Sequence, residues 1–323
     1  MLSDEIGRQF QYLRLSITDV CNFKCNYCLP EGYDCDGERD FLSMPEFTTL
    51  VQAFAQLGMK KIRLTGGEPG LRRELTDIIH LCSRTEGIEQ VALTTNGFNL
   101  ETHIEQWVGA GLTALNVSVD SLDPRLFHAI TGHQKLQSIL RGLERAEQLG
   151  LKKIKLNAVL LKQFNYHQLD DYLAWIKTRN VTIRFIELME TLDNQTFFDE
   201  NHISGEKIQQ YLLQQGWNEV IKPPFSGPAV EFYHNDYVGR IGLIMPYSKD
   251  FCAQCNRLRM SATGKLHLCL FGEEGIDLRP QLRNGDLIGT SEAIEAALFD
   301  KNKAHQLSQR IVGQTRHLAM LGG

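Results

Sequence analysis

Leu13-Arg14-Leu15-Ser16-Ile17-Thr18 is the stretch on which the fold turns. Apolar residues alternate there with Arg, Ser and Thr, so a strand with a side-chain period of two has one apolar and one polar face. The alternation returns in Lys61-Ile62-Arg63-Leu64-Thr65, Asn116-Val117-Ser118-Val119-Asp120 and Lys153-Ile154-Lys155-Leu156-Asn157. One such strand is accounted for by a solvated face; four are not. Strand patterns near 12–18, 61–65, 91–95, 114–120, 153–159 and 182–188 are interleaved with amphipathic stretches such as 44–57, 74–83, 137–149 and 167–177. These β-then-α steps predict an α/β protein with a parallel sheet. A closed eight-stranded barrel fills its centre with bulky apolar side chains. Strands lined with Arg, Lys, Ser and Asn predict an incompletely closed barrel around a polar ligand.

The chain has 323 residues, 42% hydrophobic and 23% charged, enough to bury a large core without disulfides. Lys and Arg number 34 against 39 Asp and Glu, a net charge of −5. That balance argues against a general binder of nucleic acid or membrane surfaces. No apolar run approaches the roughly 18 residues of a membrane span, and the start, Met1 to Arg8, has no apolar signal core. A cytoplasmic protein is expected. The run Ile221-Lys-Pro-Pro-Phe-Ser-Gly227 breaks the β/α pattern, so two regions are expected, 1–220 and 221–323.

Eight cysteines then need a chemical reason: Cys21, Cys25, Cys28, Cys35, Cys82, Cys252, Cys255 and Cys269. In a reducing compartment, clustered cysteines point to metal ligation or catalysis. Cys21, Cys25 and Cys28 have C-x3-C-x2-C spacing directly after the first strand; Cys252, Cys255 and Cys269 form a second trio. Structural zinc takes four protein ligands. Cys35 is the nearest fourth candidate for the first trio, and His267 makes zinc a stronger alternative at the second. Three thiolates on a cubic [4Fe–4S] cluster leave one iron open to a small molecule. Cys35 and Cys82 read as spare thiols.

The first trio resembles the signature of the radical S-adenosylmethionine (SAM) superfamily. That resemblance implies an open iron chelating SAM and one-electron cleavage to a 5′-deoxyadenosyl radical. Gly66-Gly67-Glu68-Pro69 matches the superfamily's segment for the SAM amino group. Tyr27, Gly67, Ser118 and Met189 are the candidate SAM contacts, three of them after the predicted strands, where barrel active sites form.

Both trios, Arg14, Lys61-Ile-Arg63, Ile183-Arg184-Phe-Ile-Glu-Leu-Met189, Asp250–Arg259 and Gly322-Gly323 look like the MoaA family of GTP 3′,8-cyclases of molybdenum cofactor biosynthesis, over nearly the whole chain. The resemblance implies a lyase with an incomplete (β/α)6 barrel whose open side the C-terminal region covers. It implies two [4Fe–4S] clusters, one binding SAM and an auxiliary one holding the guanine of GTP. The radical takes the ribose 3′ hydrogen and C3′ bonds to C8, giving 3′,8-cyclo-7,8-dihydro-GTP. The family further implies a homodimer, a low-potential electron donor and hand-over to cyclic pyranopterin monophosphate synthase.

Charge supports a polyanionic substrate independently. Arg14, Lys61, Arg63, Lys155 and Arg184 fall on the polar strand faces, and period two puts Arg257 and Arg259 on the face of Cys255. Most such charges pair on solvated surfaces, but clustered interior cations are costly unless an anion is bound. Thr94 and the Leu258 backbone join them as GTP contacts carried over from the family, and Arg257 and Arg259 are the candidate catalytic pair. No G-x4-G-K-[ST] segment exists, which argues against GTP hydrolysis. Two rivals are a radical enzyme acting on a peptide and a zinc-stabilised binding module. The terminal Gly322-Gly323 is expected to enter the barrel near Arg259.

Overall fold

In the computed structural model, residues 1–34, 40–221, 227–249, 251–253, 255–272 and 274–322 are described. Cys35, most of the pattern-breaking run after Ile221 and Gly323 lie outside them. The six anticipated strands all form: β1 (Tyr12–Ser16), β2 (Lys61–Thr65), β3 (Gln90–Thr95), β4 (Ala114–Ser118), β5 (Ile154–Leu160) and β6 (Thr182–Glu187). They lie side by side in that order, every pair parallel. Strands β1, β4 and β6 stop short of the expected limits, because the chain leaves the sheet before Thr18, Asp120 and Leu188 to form the loops above it.

Helices α1 (Met44–Gln56), α2 (Leu75–Arg84), α3 (Leu100–Gly109), α4 (Pro124–Thr131), α5 (Leu136–Gln148) and α6 (Leu169–Ile176) connect these strands. Local sequence sets several of their ends. Before α1, Ser43 and Glu46 form a capping box, the Ser43 N–H donating to Glu46 at 2.7 Å. Asp123 caps α4 by accepting from the N–H groups of Arg125 and Leu126, Pro124 opens the helix, and Gly132 at φ +75° ends it. The helices bury the apolar strand faces: Leu13, Leu15, Ile62, Leu64, Leu115, Val117, Leu156 and Ile183 are fully buried in one core with Phe47, Phe54, Ile104 and Ile139.

Strands later in the chain extend both edges of this run. These are β7 (Asn218–Glu219), β8 (Val230–Tyr233), β9 (Arg240–Ile244), β10 (Arg257–Met260), β11 (Lys265–His267) and β12 (Ile276–Asp277). β9 pairs parallel with β6, and β10 pairs parallel with β1. The sheet therefore runs β12-β11-β10-β1-β2-β3-β4-β5-β6-β9-β8-β7, mostly parallel, and no pairing joins its two edge strands among the described residues. Buried Arg279 pairs with Glu46 of the first helix and with Asp40 in the segment before it. No helix among the described residues is long and apolar enough to cross a membrane.

Candidate active site

Strand register turns the alternating patterns into a charged wall. Arg259 of β10 stands beside Arg14 of β1, and Arg14 beside Arg63 of β2. Neighbouring strands lie about 4.8 Å apart, so three guanidinium side chains project from adjacent positions on one face. The row below runs Arg257, Tyr12, Lys61. Further round, Asn116 stands beside Lys155 and Asn157 beside Arg184. All ten line one cavity of about 490 Å³, together with Thr94, Met189, Glu231, Cys252, Cys255 and Cys269. That size suits a nucleotide-sized ligand.

The basic residues anticipated from sequence thus converge. Arg63, Arg257 and Arg259 are 4%, 7% and 6% exposed. Burial, with Arg259, Arg63 and Arg257 nearby, pushes Arg14 down to about 9 against the pull of Tyr12. Burial and Arg257 bring Arg259 down to about 10. The Nε atoms of Arg184, Arg257 and Arg259 are buried without a hydrogen-bond partner. Unpaired buried donors of one sign are expensive, and an anion would satisfy them. Arg63 donates through Nη1 to the Thr94 hydroxyl at 3.0 Å, which places Thr94 in the same wall. The Leu258 side chain points the other way, fully buried in the core, so only its backbone is left to the cavity side.

Among the cavity residues that sequence reasoning missed are Tyr12 and Glu231. Tyr12 accepts a hydrogen bond from Arg63 Nε; burial alone would raise its hydroxyl, but Arg63, Arg14 and Lys61 bring it down to about 7. Its place two residues before Arg14 was a readable signal. Glu231 is the one carboxylate lining the cavity among the described residues. It arrives on β8, whose position no local pattern reveals.

The first trio sits in the loop after β1, where the Cys28 and Leu29 N–H groups donate to the Cys25 carbonyl at 2.9 and 3.0 Å. Burial pushes Cys21 up to about 11, helped by Glu68, and Cys28 up to about 12, helped by Cys21. Burial, Asp120, Cys28 and Cys21 raise Cys25 well above its ordinary value. Half-buried thiols that repel one another's ionised forms are a donor set suited to a cationic centre. The second trio opens into the cation-lined cavity, and there Arg257, Lys301 and Arg259 overcome burial and bring Cys255 down to about 7. Among the described residues no group of His, Cys, Asp or Glu converges closely enough to hold a single metal ion. Each trio supplies thiol donors, the ligand type that iron–sulfur clusters take. Cys82 is a buried core thiol.

Three of the SAM candidates, Tyr27, Gly67 and Met189, lie beside the first trio. Tyr27 packs with Ile130, Leu161 and Leu188 and donates its hydroxyl to Asp120 at 2.9 Å. A Cβ on Gly67 would lie 2.2 Å from the Val20 carbonyl oxygen, and one on Gly66, at φ +147°, 2.1 Å from that of Thr18. The two glycines therefore let the loop after β2 press against the segment leading to Cys21. Ser118 ends β4, and Met189 packs with Leu270, Phe271, Leu318 and Leu321. Cys28 and Cys269 both border that small apolar cluster, so the two cysteine loops meet across it. Its C-terminal members bring Gly322 onto the inward side of β2, against Thr65.

Comparisons with known proteins agree with this layout. A profile described as Radical SAM superfamily matches residues 15–176, and one described as Molybdenum Cofactor Synthesis C matches residues 181–307. A GTP 3′,8-cyclase of Psychromonas ingrahamii is 52% identical, covering 100% of this chain and 95% of the relative. Those of Vibrio vulnificus and Yersinia pestis are 51% and 53% identical, covering 99% and 100% of this chain and 97% and 99% of theirs. Among solved structures, Streptococcus suis SuiB bound to S-adenosylmethionine superposes with TM-score 0.59 at 14% identity, covering 82% of this chain and 61% of that one. anSMEcpe with bound AdoMet and Cp18Cys peptide superposes with TM-score 0.57 at 15% identity, covering 93% and 82%. At these identities the two structures speak to the fold alone.

Proposed function

The chain belongs to the MoaA family of GTP 3′,8-cyclases, radical SAM enzymes of molybdenum cofactor synthesis, and on that premise we propose that its cation-lined cavity takes GTP and joins ribose C3′ to guanine C8. The observation that carries this reading is the row Arg259, Arg14, Arg63 on three adjacent strands. Arg63 and Arg259 are buried and Arg14 between them is partly buried; such a row of like charges is unfavourable alone and becomes a binding site when a polyanion lies against it.

Family membership implies SAM and a [4Fe–4S] cluster, and Cys21, Cys25 and Cys28 would hold that cluster. Cys252, Cys255 and Cys269 would hold an auxiliary one with an open iron for the guanine. When bound, the first cluster and SAM supply one-electron cleavage of a carbon–sulfur bond and hence a hydrogen-atom abstractor. The chain's own part is placement. Tyr27, Gly67, Ser118 and Met189 hold SAM at the carboxyl ends of the strands. Arg14, Lys61, Arg63, Lys155 and Arg184, with Thr94 and the Leu258 backbone, hold the triphosphate so that the ribose faces SAM. Arg257 and Arg259, between phosphates and second trio, stabilise charge on the reacting nucleotide.

On this reading residues 1–220 form an incomplete (β/α)6 barrel, and residues 221–323 cover its open side. The strands that β9 and β10 add beside β6 and β1 support that division. A low-potential electron donor, a homodimer, a cytoplasmic setting and delivery of product to cyclic pyranopterin monophosphate synthase complete the proposal. Anaerobic incubation with SAM, GTP and dithionite tests it. Chromatography with mass spectrometry should find 5′-deoxyadenosine and a product isobaric with GTP but separable from it. SAM cleavage with GTP unchanged, or release of phosphate, would refute the assignment.

A further inference from the structure

Arg8 and Lys301 come from opposite ends of the chain and meet at the second cysteine trio. Arg8 is 8% exposed, with Nε paired to Asp4 at 2.6 Å. Its Nη1 donates to the carbonyl of Cys252 at 3.2 Å and to that of Lys303 at 2.9 Å, and its Nη2 to that of Asn302 at 2.9 Å. Lys301 donates through Nζ to the carbonyl of Leu268, the residue before Cys269, and lies 5.3 Å from the centre of the Phe10 ring. One cation thus grips the backbone of Cys252 and the other the backbone beside Cys269. Neither residue lines the cavity, so neither is needed to touch the nucleotide.

The two trios have surroundings of opposite sign. At the first, the Asp120 carboxylate accepts at 2.9 Å from the hydroxyl of Tyr27, the residue between Cys25 and Cys28. Cations face the second: Arg8 on the Cys252 carbonyl, Lys301 on the carbonyl before Cys269, and Arg257 and Arg259 in the cavity that the trio lines. Arg8 shares its charge with Asp4, whereas the carbonyl that Lys301 meets neutralises nothing. A fixed positive charge favours the redox state carrying one more electron, and a carboxylate opposes it. We propose that Arg8 and Lys301 form a cationic clamp that positions the second trio and makes its cluster easier to reduce than the first. The proposal rests on the two-cluster reading above. It names two positioning residues, distinct from the arginines that line the cavity.

The test uses the full chain, reconstituted anaerobically as wild type, Lys301→Gln and Lys301→Arg. Iron and sulfide are counted, and each cluster's midpoint is followed by EPR-monitored redox titration. Added SAM marks the signal of the first cluster. In wild type the second cluster should reduce at the higher potential. Lys301→Gln should lower that midpoint, leave the first unmoved, and be reversed by Lys301→Arg. Selective loss of the second cluster's iron and sulfide in Lys301→Gln, regained in Lys301→Arg, would equally bear out the positioning. Full cluster content with an unmoved second midpoint would overturn the clamp. A folded wild type that takes up iron for one cluster alone would bring down the two-cluster reading itself, and the clamp with it.

Discussion

Glu231 and Lys155 meet at 2.7 Å inside the cavity, the carboxylate from the C-terminal strand β8 and the ammonium from β5. Arg184 reaches the same carboxylate oxygen at 3.0 Å. Burial alone would raise Glu231, but Lys155 and Arg184 hold it at about 2, so it is ionised throughout the working range. It occupies the place of an anion between two cations that the triphosphate is proposed to bind.

Replacing that charge should separate stability from binding. In Glu231→Gln the nucleotide-free protein should melt at a lower temperature, because Lys155 and Arg184 face each other without a counter-ion. GTP should bind about tenfold more tightly, since it no longer competes with a resident anion. Calorimetric melting and titration of the two proteins check both. Weaker GTP binding would instead make Glu231 a support that orients the cations.

Binding should also depend on alkaline pH. Burial and neighbouring cations bring Lys61 and Lys155 each down to about 8. Below that pH both are charged in the folded protein at a cost. Between it and their ordinary value near 10.5 the folded state holds fewer protons than the unfolded one. The two residues thus make the nucleotide-free protein gain stability as pH rises through that window. GTP needs the charged forms, so its affinity should fall above about pH 8. The melting shift that GTP causes should therefore shrink from about pH 7 to about pH 9.5.

Arg257→Ala and Arg259→Ala should each weaken GTP roughly ten- to hundredfold, the loss of a charged hydrogen-bond partner costing about 1.5–3 kcal/mol. Guanosine, without phosphates, should be affected much less. Equal losses for both ligands would assign the arginines to the guanine end or to packing.

The cysteine trios should divide the chemistry. Cys25→Ser should abolish SAM cleavage, because the first cluster cannot assemble. Cys255→Ser should keep uncoupled SAM cleavage and lose cyclisation. Loss of SAM cleavage in both, with the first cluster's spectrum intact in Cys255→Ser, would contradict that division.

At the C-terminus, Gly322 has φ +62°, and a Cβ there would stand 2.3 Å from Thr65 Oγ1. Gly322→Ala should therefore release the docked tail, seen as faster hydrogen exchange in residues 312–322 and suppressed cyclisation with both clusters retained. Deleting Gly322 and Gly323 should do the same. Protected exchange and full turnover in Gly322→Ala would mean that the contact with Thr65 is dispensable.

What the chain displays locally could be read from the chain itself. The period-two patterns located β1 to β6 and put Arg14, Lys61, Arg63, Lys155 and Arg184 on their polar faces, because side-chain direction in a strand follows from backbone geometry alone. Cysteine spacing marked the trios for the same reason: ligands a few residues apart in one loop are close in any fold. Other relationships depend on which distant strands become neighbours. Arg259 joins the row of Arg14 and Arg63 only because β10 pairs with β1, and Glu231 reaches Lys155 only because β9 extends the sheet beyond β6 and carries β8 with it. The same holds for Gly322 against Thr65 and for Arg8 on the carbonyl of Cys252. Such pairings are settled by burial of a shared core against the entropy of closing long loops, a balance struck over the whole chain that no local period records.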